Sequence, residues 1–281
     1  MKKITLGVCV GLLIASFSCK QQTEKQYTKN ELAFDTINVS EKHFFNNDTA
    51  QTACNLSVEF VYPVQNDNDS IVEKMQREII LMYFEDEKYT GVSPKDAVDK
   101  YVSDFNSSFD ATVKGYENHM DEFDGNDPFF TASEKLLGHL LFNEGGFLTF
   151  QVERQNSKMG TITHTQYKNC VIDLETGERI KEEDIFVEDY EQEIHDLFVV
   201  QLLKVHNVKQ LSDLENDEYG YINLEEIVPN RNFGVDGKGI TYVFNSGEYS
   251  TYKTEAIRIL LPFEEIKHLI KENSPIFRLI D

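Results

Sequence analysis

The stretch Leu136–Glu153, LLGHLLF-NEGG-FLTFQVE, decides the fold. Two apolar runs, Leu136 to Phe142 and Phe147 to Glu153, flank Asn143-Glu-Gly-Gly146. Adjacent glycines between such runs predict a β-hairpin, because tight hairpin turns need backbone at positive φ. Just downstream, Ile162 to Leu174 reads as a long strand closed by the turn Glu175-Thr-Gly177. Strands joined by short turns pair antiparallel. The expected class is therefore α+β, with antiparallel sheets and packed amphipathic helices, and not a doubly wound sheet.

Further along, Tyr190, Ile194, Leu197, Phe198, Leu202 and Val205 recur at helical spacing. Gly239 to Asn245 and Glu255 to Leu261 read as strands, and Pro262 opens a short helix with Phe263, Ile266 and Leu269 inward. Upstream, Leu56, Val58, Phe60 and Tyr62 alternate with Asn55, Ser57 and Glu59, a half-buried strand. Ser70-Ile-Val-Glu73 reads as a capping box opening a helix whose stripe is Val72, Met75, Ile79 and Met82. Ser93-Pro94 starts a second helix with Val98, Tyr101, Phe105 and Phe109 on its buried face. His43-Phe44-Phe45 is an apolar island expected to dock on the body. No repeat of fixed period is found. The expected organisation is a leader over 1–18, a polar tether and first strand over 19–50, and two closely associated α+β subdomains over 51–160 and 161–281.

Of 281 residues, 40% are hydrophobic, with 20 Phe and 13 Tyr, enough to form a core and to exclude disorder throughout. Against 27 Lys and Arg stand 49 Asp and Glu, a formal net charge of -22. Such a surface repels phosphate backbones and anionic lipid, which excludes nucleic-acid binding and electrostatic membrane docking. It suits electrostatic steering of a basic partner.

The N-terminus carries an address. Met1-Lys2-Lys3 is followed by an apolar run, Ile4 to Phe17, of signal-peptide length and too short for a comfortable span. It ends Ser16-Phe17-Ser18-Cys19 and gives way to the polar run Lys20-Gln-Gln-Thr-Glu24. This looks like a bacterial lipobox, although Ser16 stands where an aliphatic residue is usual. Cys19 is expected to be lipidated, so that the membrane is a partner through the N-terminal lipid alone. The expected location is the cell envelope, and Lys20, in place of a retaining Asp, favours the outer membrane in a didermal host.

Motifs of catalysis are sparse. The seven His (His43, His119, His139, His164, His195, His206 and His268) lack metal-ligand spacing, and neither a metal nor a cofactor is expected. No nucleophile elbow, phosphate loop or dinucleotide fingerprint appears. Asp121-Glu-Phe-Asp-Gly-Asn-Asp127 lacks the residue order and closing Glu of a calcium hand and reads as a solvated loop. Cys54 and Cys170 each share parity with core positions of a strand. In an oxidising compartment they are either a disulfide or two inert buried thiols.

Asp173-Leu-Glu-Thr-Gly-Glu178, with Glu183-Asp-Ile-Phe186, resembles the strand, turn and helix entry of domain-of-unknown-function family 3298. So do Asn232-Phe233, Gly239-Ile-Thr-Tyr-Val-Phe-Asn245 and Ile259-Leu-Leu-Pro-Phe-Glu-Glu-Ile266. Residues 50–160 are similar in layout to the family 4163 domain that usually precedes it. The resemblance implies an extracytoplasmic α+β module. Its relatives include the lysozyme-sensing part of an anti-sigma factor and an accessory region of a peptidoglycan deacetylase. Two stretches depart from the family pattern, Met159-Gly-Thr-Ile-Thr-His164 and Gly247-Glu-Tyr-Ser-Thr-Tyr252. The second lies in the loop Ser246 to Thr254, whose Glu248, Tyr249 and Tyr252 are the expected partner-binding residues. The function expected is a lipid-anchored envelope binding or sensing module without catalytic residues. Its ligand is a basic protein such as lysozyme, or peptidoglycan fragments. An envelope glycan hydrolase, or an accessory domain of one, is the alternative.

Overall fold

Gly145 and Gly146, at φ 62° and 83°, turn the chain between Glu144 and Phe147. Positive φ at both central residues is the type I′ geometry that matches strand twist. The structure, a computed structural model, describes residues 27–66, 68–116, 130–158 and 163–280. The expected leader with Cys19, the acidic loop Asp121–Asp127 and the stretch Met159–Ile162 lie outside the described residues.

The strands are β1 (Ala33–Phe44), β2 (Ala53–Gln65), β3 (Ala132–Glu144), β4 (Phe147–Lys158), β5 (His164–Asp173) and β6 (Glu178–Ile180), which form one sheet in that order. A smaller antiparallel sheet comprises β7 (Phe233–Val235), β8 (Gly239–Phe244) and β9 (Ile257–Pro262). The helices are α1 (Asp69–Phe84), α2 (Pro94–Gly115), α3 (Glu182–Ile185), α4 (Glu191–His206) and α5 (Phe263–Ile266). The class is α+β, with one correction. β2 and β3 pair in parallel, from Cys54 opposite Ala132 to Glu59 opposite Leu137, so the larger sheet is mixed. The physical reason is the connection, for α1 and α2 lie between these strands and allow the crossover that a hairpin cannot make. Among the described residues no helix is long and apolar enough to cross a membrane.

Strand alternation in β4 and β5 feeds the two larger of three apolar clusters. Leu148, Phe150 and Val152 of β4, with Cys170 and Ile172 of β5, face α1 and α2. Phe147 and Val171 point the other way, into a core built from α4 and the smaller sheet. Thr149 shares that second face and joins the layers directly, its hydroxyl donating to the Val235 carbonyl (2.5 Å) and accepting from the Val235 amide (3.2 Å). β4 and β5, on either side of the 160/161 boundary expected between subdomains, are hydrogen-bonded neighbours in one sheet.

Local details follow the residues. Asn68, and not Ser70, caps α1, accepting from the Ser70 amide at 3.0 Å. Asn caps as well as Ser and stands two residues earlier, so the helix starts there. Ser93 caps α2 as expected. The buried stripe of α4 is Ile194, Phe198 and Leu202, while Val205 is exposed one residue from the helix end. Phe45 of the apolar island is buried against Phe109 and Val113 of α2. Gly138 is a requirement of packing, because a Cβ there would lie 1.9 Å from the buried Tyr83 hydroxyl. That hydroxyl donates to the Glu59 carbonyl (2.7 Å) and accepts from the Val61 amide (3.1 Å).

Candidate functional site

The expected binding residues take three different roles. Gly247, at φ 91°, turns the loop after β8. Glu248 caps that turn, accepting from the Asn245 amide (2.9 Å) and from the Asn230 side chain (3.0 Å). Tyr249 folds back, edge-on to Phe244 at 5.4 Å, with its hydroxyl donating to the Glu226 carbonyl (3.1 Å). Tyr252 stays 69% exposed, against the His164 ring at 5.2 Å. A side chain at 247 would collide with the Tyr252 ring, so the same glycine that makes the turn also seats the ring.

Of the two readings of Cys54 and Cys170, the structure has the second: no bridge is formed, and both thiols are free and buried. β3 and β4 stand between their strands, about 14 Å across the sheet at ordinary strand spacing. A disulfide needs Cα atoms within about 7 Å. The register separates them further. Cys54 stands beside Ala132, whose β4 partner is Lys158, while Cys170 faces Phe150, eight residues back along β4. Shared parity placed both thiols inward, but strand order kept them apart.

Beside Glu248 lies an edge that needs covering. β6 pairs only with Val171, Ile172 and Asp173, which leaves the earlier part of β5 without a strand partner on that side. Two asparagines replace the missing strand. Asn245 accepts from the Tyr167 amide (2.7 Å) and donates to the Tyr167 carbonyl (3.1 Å). Asn232 accepts from the Asn169 amide (2.8 Å) and donates to the Tyr167 and Val243 carbonyls (both 2.9 Å). Side-chain amides carry both a donor and an acceptor, so they can satisfy a strand edge in both senses.

These asparagines wall a cleft of about 330 Å3 between the end of α1, β4, β5 and the smaller sheet. Its cations are Arg154, Lys168, Arg179 and Arg231. Arg154 is held by the Tyr83 carbonyl (2.6 Å) and the buried Glu134 (3.5 Å), which also accepts from Tyr101. Lys168 pairs with Glu85 at 3.1 Å. Arg179 donates to the carbonyls of Asn169 (3.3 Å) and Arg231 (3.4 Å). Arg231 adopts φ 61°, a left-handed conformation held by its amide, which donates to the buried Glu182 at 2.8 Å. Tyr190 donates to the other oxygen of Glu182 at 2.7 Å. Burial, then the Glu182 charge, pushes the Tyr190 hydroxyl well above the usual range, so it remains a donor. Burial likewise raises the Glu78 carboxyl on α1, with Arg179 the main influence opposing it. Arg258 lies over the Tyr167 ring at 4.6 Å. Among the described residues no group of three or more His, Cys, Asp or Glu is placed to hold a metal.

Sequence reasoning singled out Glu248 at the rim but missed Arg179 and Arg231, and it placed Asn232 and Asn245 within motifs without seeing their role at the strand edge. The available signal was Asn230-Arg-Asn232, a cation between two amides in a strongly acidic chain.

The sequence model of a family described as protein of unknown function, DUF3298, matches residues 183–264, from α3 to the start of α5. The match begins after the turn Asp173–Glu178 and includes both strands Gly239–Phe244 and Ile257–Pro262. Among solved structures, a member of that family from Bacteroides fragilis NCTC 9343 is 24% identical, with a TM-score of 0.82 over 90% of this chain and 99% of the other. A DUF3298 family protein from Pseudomonas aeruginosa PAO1 is 10% identical, with a TM-score of 0.56 over 86% and 96%. Both show the same fold. No match was found among curated proteins.

Proposed function

We propose that this chain is a lipid-tethered binding or sensing module of the cell envelope, and that it takes peptidoglycan fragments in the cleft between its two sheets. The observation that carries this reading is the cleft itself, a concave polar site with four cations in a molecule of net charge -22. Its volume falls at the small end of ligand sites, suited to one or two sugar or amino-acid units. The apolar leader ending at Cys19 supplies the tether, and the family 4163-like layout of residues 50–160 fits an extracytoplasmic setting. On this reading the side chains of the cleft hold and orient, and the buried Glu134 and Glu182 behind it are engaged by Tyr hydroxyls.

A second reading has its own support. The acidic surface and the exposed Tyr252 suit a basic protein such as lysozyme, docking across the loop Ser246–Thr254. One experiment separates the two. The body lacking its leader is titrated calorimetrically with soluble muropeptides and with lysozyme. Heat with muropeptides that is lost when Asn230→Trp fills the cleft is the expected result. Heat only with lysozyme moves the function to the second reading, and hydrolysis of the muropeptides would overturn the non-enzymatic one. Fatty-acid labelling that is equal in wild type and Cys19→Ala would remove the tether.

A further inference from the structure

We infer that the cleft is an anion-recognition site, in which Arg179 and Arg231 receive a carboxylate or phosphate borne by a small sugar-like ligand; the inference rests on the binding reading above and names the chemistry of its ligand. The first observation is how the four cations of the cleft are partnered. Of the four, Arg154 and Lys168 pair with Glu134 (3.5 Å) and Glu85 (3.1 Å). Among the described residues, neither Arg179 nor Arg231 has a carboxylate at ion-pair distance from its guanidinium, although the two sit side by side. The carboxylates of the cleft are already engaged, Glu85 by Lys168 and Glu248 by Asn245 and Asn230. Glu182 reaches the Arg231 backbone and not its side chain.

The second observation is organisation in advance of a ligand. Arg179 is braced against two backbone carbonyls, and Arg231 is held in a left-handed conformation that a long side chain rarely adopts. Strain of this kind persists where the surroundings over-determine it and often marks a site of function. The guanidinium is a planar fork whose donors match the two oxygens of a carboxylate or phosphate, and its charge is permanent. A cavity of about 330 Å3 is far larger than such an ion, so the anion belongs to a larger polar body.

The test uses three ligands that share one sugar frame: N-acetylmuramic acid for the carboxylate, N-acetylglucosamine 6-phosphate for the phosphate, and neutral N-acetylglucosamine. The whole chain, solubilised in mild detergent, is titrated calorimetrically with each at low and moderate salt. At least one charged sugar is expected to bind tenfold or more tightly than the neutral one, and the stronger of the two identifies the anion. Arg179→Gln with Arg231→Gln should abolish that preference and its salt dependence. Lys95→Gln, on α2 away from the cleft, should leave both intact. Circular dichroism and melting temperature establish that each variant is folded, and the single variants are read if the double variant does not fold. Equal binding of neutral and charged sugars, or a preference unchanged in folded Arg variants, would overturn the inference. Muropeptide binding that survives those changes would leave the binding function standing and remove only the anion site. Binding of the charged sugars without muropeptide binding would do the reverse.

Discussion

Cys54 and Cys170 illustrate how much a single residue's surroundings decide. Burial, aided by the charge of Asp110, pushes the Cys54 thiol up to about 11, and burial pushes Cys170 up to about 12. The thiolate is the reactive form, so both side chains behave as small apolar fillers and not as nucleophiles or redox partners. The expected outcome is that the folded body, treated with an aromatic disulfide reagent at pH 8, releases almost no chromophore, whereas in denaturant both thiols react. A fast reaction in the folded state would contradict the burial, and silence in denaturant without reductant would restore the disulfide. Tyr83 and Gly138 make the complementary point. A glycine inside a strand ordinarily weakens it, yet here only glycine leaves room for a hydroxyl that satisfies two backbone groups of β2.

Among the elements, β5 is the hinge of the architecture. Its two faces feed different cores, and its outer edge is closed partly by β6 and partly by Asn232 and Asn245. Unpaired strand edges invite association, and covering them with side chains also fixes the smaller sheet against the larger one. Asn232→Ala leaves the Asn169 amide without its acceptor, while the Tyr167 and Val243 carbonyls keep bonds from Asn245 and Asn230. The loss expected is roughly 1–3 kcal/mol, the range for a buried group left unpaired. Hydrogen exchange should show Asn169 deprotected while the amides of β1 and β2 are unaffected. Uniform deprotection would mean that the edge does not act locally.

Over the whole molecule, aromatic burial couples stability to alkaline pH. Burial raises the hydroxyls of Tyr83, Tyr101 and Tyr242 well above the usual 10, and that of Tyr190, which is less deeply placed, in the same direction. The folded state therefore keeps protons that the unfolded chain releases as pH passes 10, and in that window the folded state binds more. Stability is then fully present below pH 10 and falls above it, by about 1.4 kcal/mol per pH unit for each fully buried Tyr. Absorbance at 295 nm should show the buried Tyr83, Tyr101 and Tyr242 ionising together with unfolding. A single smooth titration with retained circular dichroism would refute this. The negative surface adds self-repulsion at every pH above the carboxylate range, which salt relieves.

Local chemistry by itself determined much of this protein. The paired glycines after Glu144, Ser93-Pro94 at the start of α2 and the alternation from Leu56 to Tyr62 each act over a few residues, and each appears where the chain spells it. Composition likewise determined an aromatic core and an acidic surface. Tertiary structure alone decided which strands are neighbours. The parallel pairing of β2 with β3, the separation of Cys54 from Cys170 and the meeting of Arg179 with Arg231 all depend on strand order. Period-two patterning reports which face a residue occupies, not what lies beside it. Arg179 and Arg231, 52 positions apart, share a cleft only because two asparagines join the smaller sheet to an edge that no local signal reveals.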